Sequence, residues 1–321
     1  MRTSILVLMA ASIAVPAQAS FIINASYDTT VPAAAQAAFN SVISTYEGLF
    51  TNNVTVNIDV TFGTTGLAQS STAVGTISYA GWRSSVISEA NAHPENLYLV
   101  AAAATLPATN PLGSGKVTLT FPEARALGFS AATSVDSTLT FSSASNIFEY
   151  GGVAQSGRYD FMDVASHELD EALGIGSALT GLANNASVAS STNFAAEDYY
   201  RYSANGTRAV NTNPSANVYF SYNGGATNVA QFNQDNNAGG NSTADRNDWV
   251  YGNSGCPATT VYIQDAIGCP NQAVPIGVGP EITVLQTLGW NPASSAPEPG
   301  TWFLCGAALI ACSRLLRLRE G

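Results

Sequence analysis

Residues Asp160–Ser177 read D-F-M-D-V-A-S-H-E-L-D-E-A-L-G-I-G-S and hold one of the two histidines of the chain, His167, followed at once by Glu168. Placed on a helix at about 100° per residue with His167 at zero, Phe161, Met162, Ala165, Leu169, Ala172 and Leu173 fall between roughly 120° and 240°. Asp163, Asp170, Glu171 and Gly174 fall within about 60° of His167, and Val164 is the one apolar residue on their side. The stretch therefore predicts a helix with a core face and an opposite face that collects a histidine and carboxylates. Asp160 is suited to cap its start, and Gly174 to end it.

That polar face has a chemical reading. Two ligands at i and i+4 lie one turn apart and reach one metal ion, and a Glu directly after the first can act as general base. His167 and Glu171 have this spacing, and Glu168 stands in the base position. A carboxylate is an acceptable zinc ligand, though it leaves less positive charge on the metal than a second histidine does. The other reading is an acidic, solvated helix face.

The run His167-Glu168-x-x-Glu171-x-x-Gly174-x-x-Ser177 resembles the metzincin signature, in which three histidines bind zinc. Glu171 and Ser177 occupy the second and third histidine positions. The methionine turn of that family has no counterpart, since the methionines are Met1, Met9 and Met162. A closer resemblance is to a group of exported bacterial proteins described as metalloproteases, which carry H-E-[IL]-D-E-x-L-G-I-G-S and a C-terminal sorting tail. The resemblance implies an α+β, metzincin-like fold, with a mixed β-sheet packed on an active-site helix and a β- and loop-rich C-terminal half. It also implies zinc, a protein or peptide substrate, and an edge strand beside the cleft, a role that Ser137 to Phe141 could fill.

Composition limits the alternatives. Charged residues are 10% of the 321, against about a quarter in most soluble proteins, so Ser, Thr, Asn and Gly carry the polar surface. Net charge is −11, and residues 20–293 hold 7 basic and 20 acidic residues, a net −13. Phosphate binding needs clustered Lys and Arg, so a nucleic-acid partner is not expected.

Three segments follow. Residues 1–19 read as a secretory signal: Arg2, an apolar core from Ile5 to Val15, and Ala17-Gln18-Ala19 as a cleavage site. Residues 20–293 read as the metalloprotease-like domain. Residues 294–321 resemble the PEP-CTERM sorting signal handled by exosortases. Pro297-Glu298-Pro299 precedes an apolar run of about 13 residues, short of the ~20 of a full span, which its leucines and arginines can extend as a short membrane segment. Export machinery and exosortase are the implied partners, with passing attachment to the membrane and delivery to the cell surface.

Within the domain, Phe21 to Ala25 and Asn53 to Phe62 read as strands, and Pro32 to Phe50 as an amphipathic helix with Pro32 at its start. Val117 to Phe121 reads as a strand and Pro122 to Leu127 as a short helix or turn. Asn223-Gly224-Gly225 reads as a hairpin turn, and Ile282 to Leu288 as a last helix. Cys256 and Cys269 suit a disulfide in an exported protein; free thiols or a metal pair are the alternatives, and no Cys-x-x-Cys spacing supports the latter. Residues 234–248 are rich in Asn, Asp and Gly, but no spaced calcium loop is present, so a surface loop is favoured over calcium.

A zinc site needs a third ligand. His93, in Ala-His-Pro-Glu, reads as a surface residue. Asp198, beside Glu197, is the choice because it follows the helix; the competing reading of this pair is a β-turn with exposed tyrosines. Two functions remain open: a zinc endopeptidase, or a catalytically silent surface or matrix protein of similar fold.

Overall fold

The structure is a computed structural model that describes residues 21–237, 244–250 and 261–293. The expected signal peptide, Cys256 and the tail with Pro297, Glu298 and Pro299 lie outside the described residues. No helix among the described residues is long and apolar enough to cross a membrane.

The chain opens with β1 (Ile22–Tyr27), α1 (Ala33–Leu49), β2 (Thr55–Gly63), β3 (Ala68–Thr72) and β4 (Val74–Ile77). It continues with α2 (Tyr79–Ala92), α3 (Leu97–Thr105), β5 (Val117–Thr120), α4 (Phe121–Ala126), β6 (Ser137–Ser142), β7 (Phe148–Glu149) and β8 (Tyr159–Asp160). Then come α5 (Phe161–Leu173), β9 (Phe194–Ala195), a 3-10 turn (Ala196–Tyr200) and β10 (Arg201–Ala204). β11 (Thr207–Arg208), β12 (Tyr219–Phe220), β13 (Ala230–Gln231) and α6 (Pro280–Leu288) complete the set. The fold is α+β, with mixed sheets.

The main sheet has the order β1-β2-β6-β3, with β1 and β6 parallel to β2 and β3 antiparallel to β6. The alternation in β2 puts Val56, Ile58 and Val60 in the core. On α1, Ala35, Phe39, Val42, Ile43 and Tyr46 share the buried face, as the 3.6-residue spacing requires. α5 packs against α1, β3 and β6, and Phe161 enters a ring of Phe62, Phe141, Phe148 and Tyr150. Such ring clusters join large apolar area to favourable edge and offset contacts.

The strand expected at the sheet edge is in fact internal. β6, which contains Ser137 to Phe141, lies between β2 and β3, and Leu139 and Phe141 are fully buried. The edge is β3, Ala68-Gln-Ser-Ser-Thr72, whose residues are alternately half-buried and exposed. Lacking an apolar alternation, it carries no periodic signal.

The second half of the chain is β- and loop-rich. β9 adds to β5, which pairs with β4 of the first half, and the order β11-β10-β12-β13 forms a small antiparallel sheet. β12 and β13 are the expected hairpin, with Gly224 at φ +76° and Gly225 at φ +90° in its turn. Phe21 meets Phe50 and Trp290 at the two ends of the domain, and the indole Nε1 of Trp290 donates to the carbonyl of Leu173 at 2.9 Å. That bond satisfies one of the open carbonyls at the end of α5.

Candidate metal centre

α5 is fixed at both ends before its side chains do anything. Asp160 Oδ1 accepts from Met162 N at 2.9 Å, the expected cap. Gly174 ends the helix at φ +136°, and a Cβ there would come within 3.2 Å of the Glu123 side chain. Gly174→Ala is expected to lower stability by about 1–3 kcal/mol, the cost of a strained backbone position, read as a shift of the urea midpoint. An unchanged midpoint would show that this turn tolerates a side chain.

The core face of α5 is as expected, with Phe161, Ala165, Leu169, Ala172 and Leu173 buried. Asp170 is not. It belongs to the polar face by angle, yet it is fully buried and accepts from the Tyr46 hydroxyl at 2.7 Å. Packing of α1 against this side of the helix puts a donor where the angular map shows only solvent.

His167 is half-buried, with 19% of its side chain exposed. Its Nδ1 lies 2.9 Å from the carbonyl of Ile263, and Gln264 Nε2 donates to the His167 carbonyl at 2.8 Å. A carbonyl only accepts, so Nδ1 carries the proton and Nε2 is the nitrogen turned to the acids. Nε2 stands 3.9 Å from Glu171 Oε1 and 3.8 Å from Asp248 Oδ1. The three donor atoms lie within 4.8 Å of one another, and no other group of this kind occurs among the described residues.

The neighbours hold this arrangement in place. Ser70 of the edge strand donates to Glu171 Oε2 at 2.6 Å, and Asn247 Nδ2 donates to Asp248 Oδ1 at 2.9 Å. Glu168 is 6% exposed and lines the same cavity of about 600 Å³. Its carboxylate takes no hydrogen bond among the described residues. A second hollow of about 450 Å³ shares Ser70, Glu171 and Asp245 with the first, and the free edge of β3 runs along both.

The cavity is short of positive charge. Asp163, Glu168, Glu171, Asp245, Asp248 and Asp265 line it, and His167 is the one basic side chain among its described lining residues. Burial, and then the nearby Glu171, pushes Glu168 well above the usual carboxylate range. Burial does the same to Asp248, partly opposed by His167. Burial alone would lower His167, but Asp248, Glu171 and Glu168 raise it to about 10. An imidazole nitrogen and two carboxylate oxygens, with Nδ1 held by a carbonyl, make a donor set that suits a divalent cation.

These shifts fix a sign. Burial raises Asp265 to about 7 and Glu281 to about 7, from about 4 in an unfolded chain. Between those values the folded protein binds more protons, so its stability falls as pH rises through about 4 to 7. His167 works in the same direction, through 6.5 to about 10. With chelator present, the thermal midpoint is therefore expected to be higher at pH 5 than at pH 8, and zinc should narrow the gap. A midpoint that rises with pH in chelator would contradict this.

Asp198 does not join the cluster. Its Oδ1 accepts from Ser177 Oγ at 2.6 Å, and its Oδ2 from Ala178 N at 2.9 Å and Ala195 N at 3.1 Å. Glu197 Oε2 accepts from Gly176 N at 2.8 Å. The acid pair thus grips the turn that follows α5, with Asp198 bonded through both oxygens and Glu197 through Oε2. Tyr199 and Tyr200 beside it are fully buried, not the exposed aromatics of a β-turn. The aspartate that faces His167 and Glu171 is Asp248.

His93 ends α2 at the surface, 2.9 Å from Glu95 and 3.4 Å from Glu89. In the Asp-rich stretch, Asp235 accepts from Asn184 and Asn237, whereas Asp245 and Asp248 face the His167 cavity. Cys269 is disulfide-bonded, and Cys256 lies outside the described residues. No family model, no curated protein and no solved structure matches this chain.

Proposed function

We propose that the chain is an exported, zinc-dependent metalloendopeptidase of metzincin-like fold, with His167, Glu171 and Asp248 as metal ligands and Glu168 as general base. The observation that carries this is the convergence of His167 Nε2, Glu171 Oε1 and Asp248 Oδ1 in one cavity. Zinc held there would supply a Lewis acid for a peptide carbonyl. Glu168, buried and without a hydrogen-bond donor among the described residues, has a raised proton affinity that suits it to take a proton from the attacking water and pass it to the leaving amine. Ser70 and Asn247 orient the two carboxylates. The free edge of β3 offers backbone groups to an extended peptide, which favours a protein substrate over a small molecule. The order strand, helix, strand before α5, the antiparallel edge strand and Gly174 support the metzincin-like part of the proposal.

The test is to incubate the purified mature protein with zinc and an unfolded polypeptide. Fragments that vanish with chelator are expected. Metal binding without any cleavage would leave the silent surface protein as the better account. Export is proposed from Ala17-x-Ala19 and the Pro297-Glu298-Pro299 tail. Mass spectrometry of the cell-surface protein should find a start after Ala19 and the tail beyond Pro299 removed or membrane-held, and an intact Met1–Gly321 chain would contradict it.

A further inference from the structure

Resting on the peptide-hydrolysis reading above, we propose that Asp163 and Asp265 form a subsite for a basic side chain, so that the cavity selects peptides carrying Lys or Arg beside the scissile bond. Asp163 lies one helical turn before His167, about 6 Å along α5, on the side away from Glu171. It takes no hydrogen bond or ion pair among the described residues. Asp265 faces the same cavity, close enough for its charge to act on Asp163. It is 8% exposed, and among the described residues only Oδ2 has a donor, the Tyr262 backbone N–H at 3.0 Å. The other oxygen is left for a ligand. Tyr159 and Tyr262 line the cavity with them, and aromatic faces also favour cations.

Among the described residues, no basic side chain other than His167 lines the cavity beside these acids. A divalent ion on His167, Glu171 and Asp248 offsets two carboxylates and leaves Asp163, Glu168, Asp245 and Asp265. The arginines between residues 20 and 293 donate to oxygens elsewhere, and Lys116 is exposed. The internal segments 238–243 and 251–260 contain no Lys or Arg. Uncompensated buried carboxylates are costly, and an incoming ammonium or guanidinium group removes that cost. An acidic side chain there meets like charge and is rejected.

The experiment measures binding of fluorescent octapeptides to zinc-loaded Glu168→Gln protein by anisotropy. The peptides differ at one position, which holds Lys, Arg, norleucine or Glu. At one position Lys and Arg are expected to bind about tenfold tighter than norleucine, with Glu weakest, in line with charged pairs at other interfaces. Asp163→Asn, and separately Asp265→Asn, should each remove most of that preference while norleucine binding stays within about twofold. Equal binding of all four, binding of none, or a basic preference that survives both substitutions would overturn the subsite. So would a second zinc per chain that disappears in Asp163→Asn. Cleavage by the wild-type protein, followed in parallel, separates the two ideas: cleavage without basic preference removes only the subsite, and basic preference without cleavage removes only the hydrolase.

Discussion

Glu168→Gln is expected to lower peptide cleavage by about 10²–10⁴-fold, the usual worth of a positioned general base, and to leave metal content unchanged. Gln keeps the size of the side chain but cannot accept the proton. Glu168 is not among the three groups that face one another across the metal position, so metal retention is the discriminating half of the result. The substitution also removes a buried carboxylate that Glu171 repels, so the metal-free variant should unfold at a higher temperature than wild type. Parallel loss of zinc and activity would mean that Glu168 is a ligand, not a base.

Asp248→Asn carries the second large effect. It should weaken zinc binding beyond the about 10–100-fold that follows loss of an outer-sphere partner, and His167→Ala should do at least as much. Asp198→Asn should keep the metal and instead loosen the Gly176–Ala178 turn, at a cost of about 1–3 kcal/mol for the weakened buried hydrogen bonds. The contrast is sharp because the two aspartates compete for one role. Zinc titration of each variant, with unfolding followed in parallel, separates them. Equal zinc affinity of Asp248→Asn and wild type would remove Asp248 from the centre.

How far the sequence could lead depended on periodicity. α5 declared itself through its apolar stripe, its Asp160 cap and its Gly174 stop, and the i, i+4 pair of His167 and Glu171 came with the helix. α1 and β2 were legible for the same reason. Asp248 was not, because it arrives on an irregular, Asn- and Asp-rich segment that has no period and whose closeness to His167 is a tertiary fact. Asp198 parts from the cluster at the same point: an acid pair after the helix looks alike whether it serves a metal or backbone N–H groups. The edge position of β3 was hidden by its small, polar residues. Asp170 shows the converse error, since a polar angle on a helical wheel gives no sign that Tyr46 of another helix will cover it.

The central claim is that His167, Glu171 and Asp248 hold one divalent ion. The most direct measurement is the metal content of the mature protein after zinc loading and extensive dialysis, by elemental mass spectrometry, alongside Asp248→Asn and Asp198→Asn. About one zinc per chain is expected in the wild type and in Asp198→Asn, with little in Asp248→Asn, as three protein ligands on one ion require. No retained metal in the wild type, or metal lost from Asp198→Asn but kept by Asp248→Asn, would contradict it.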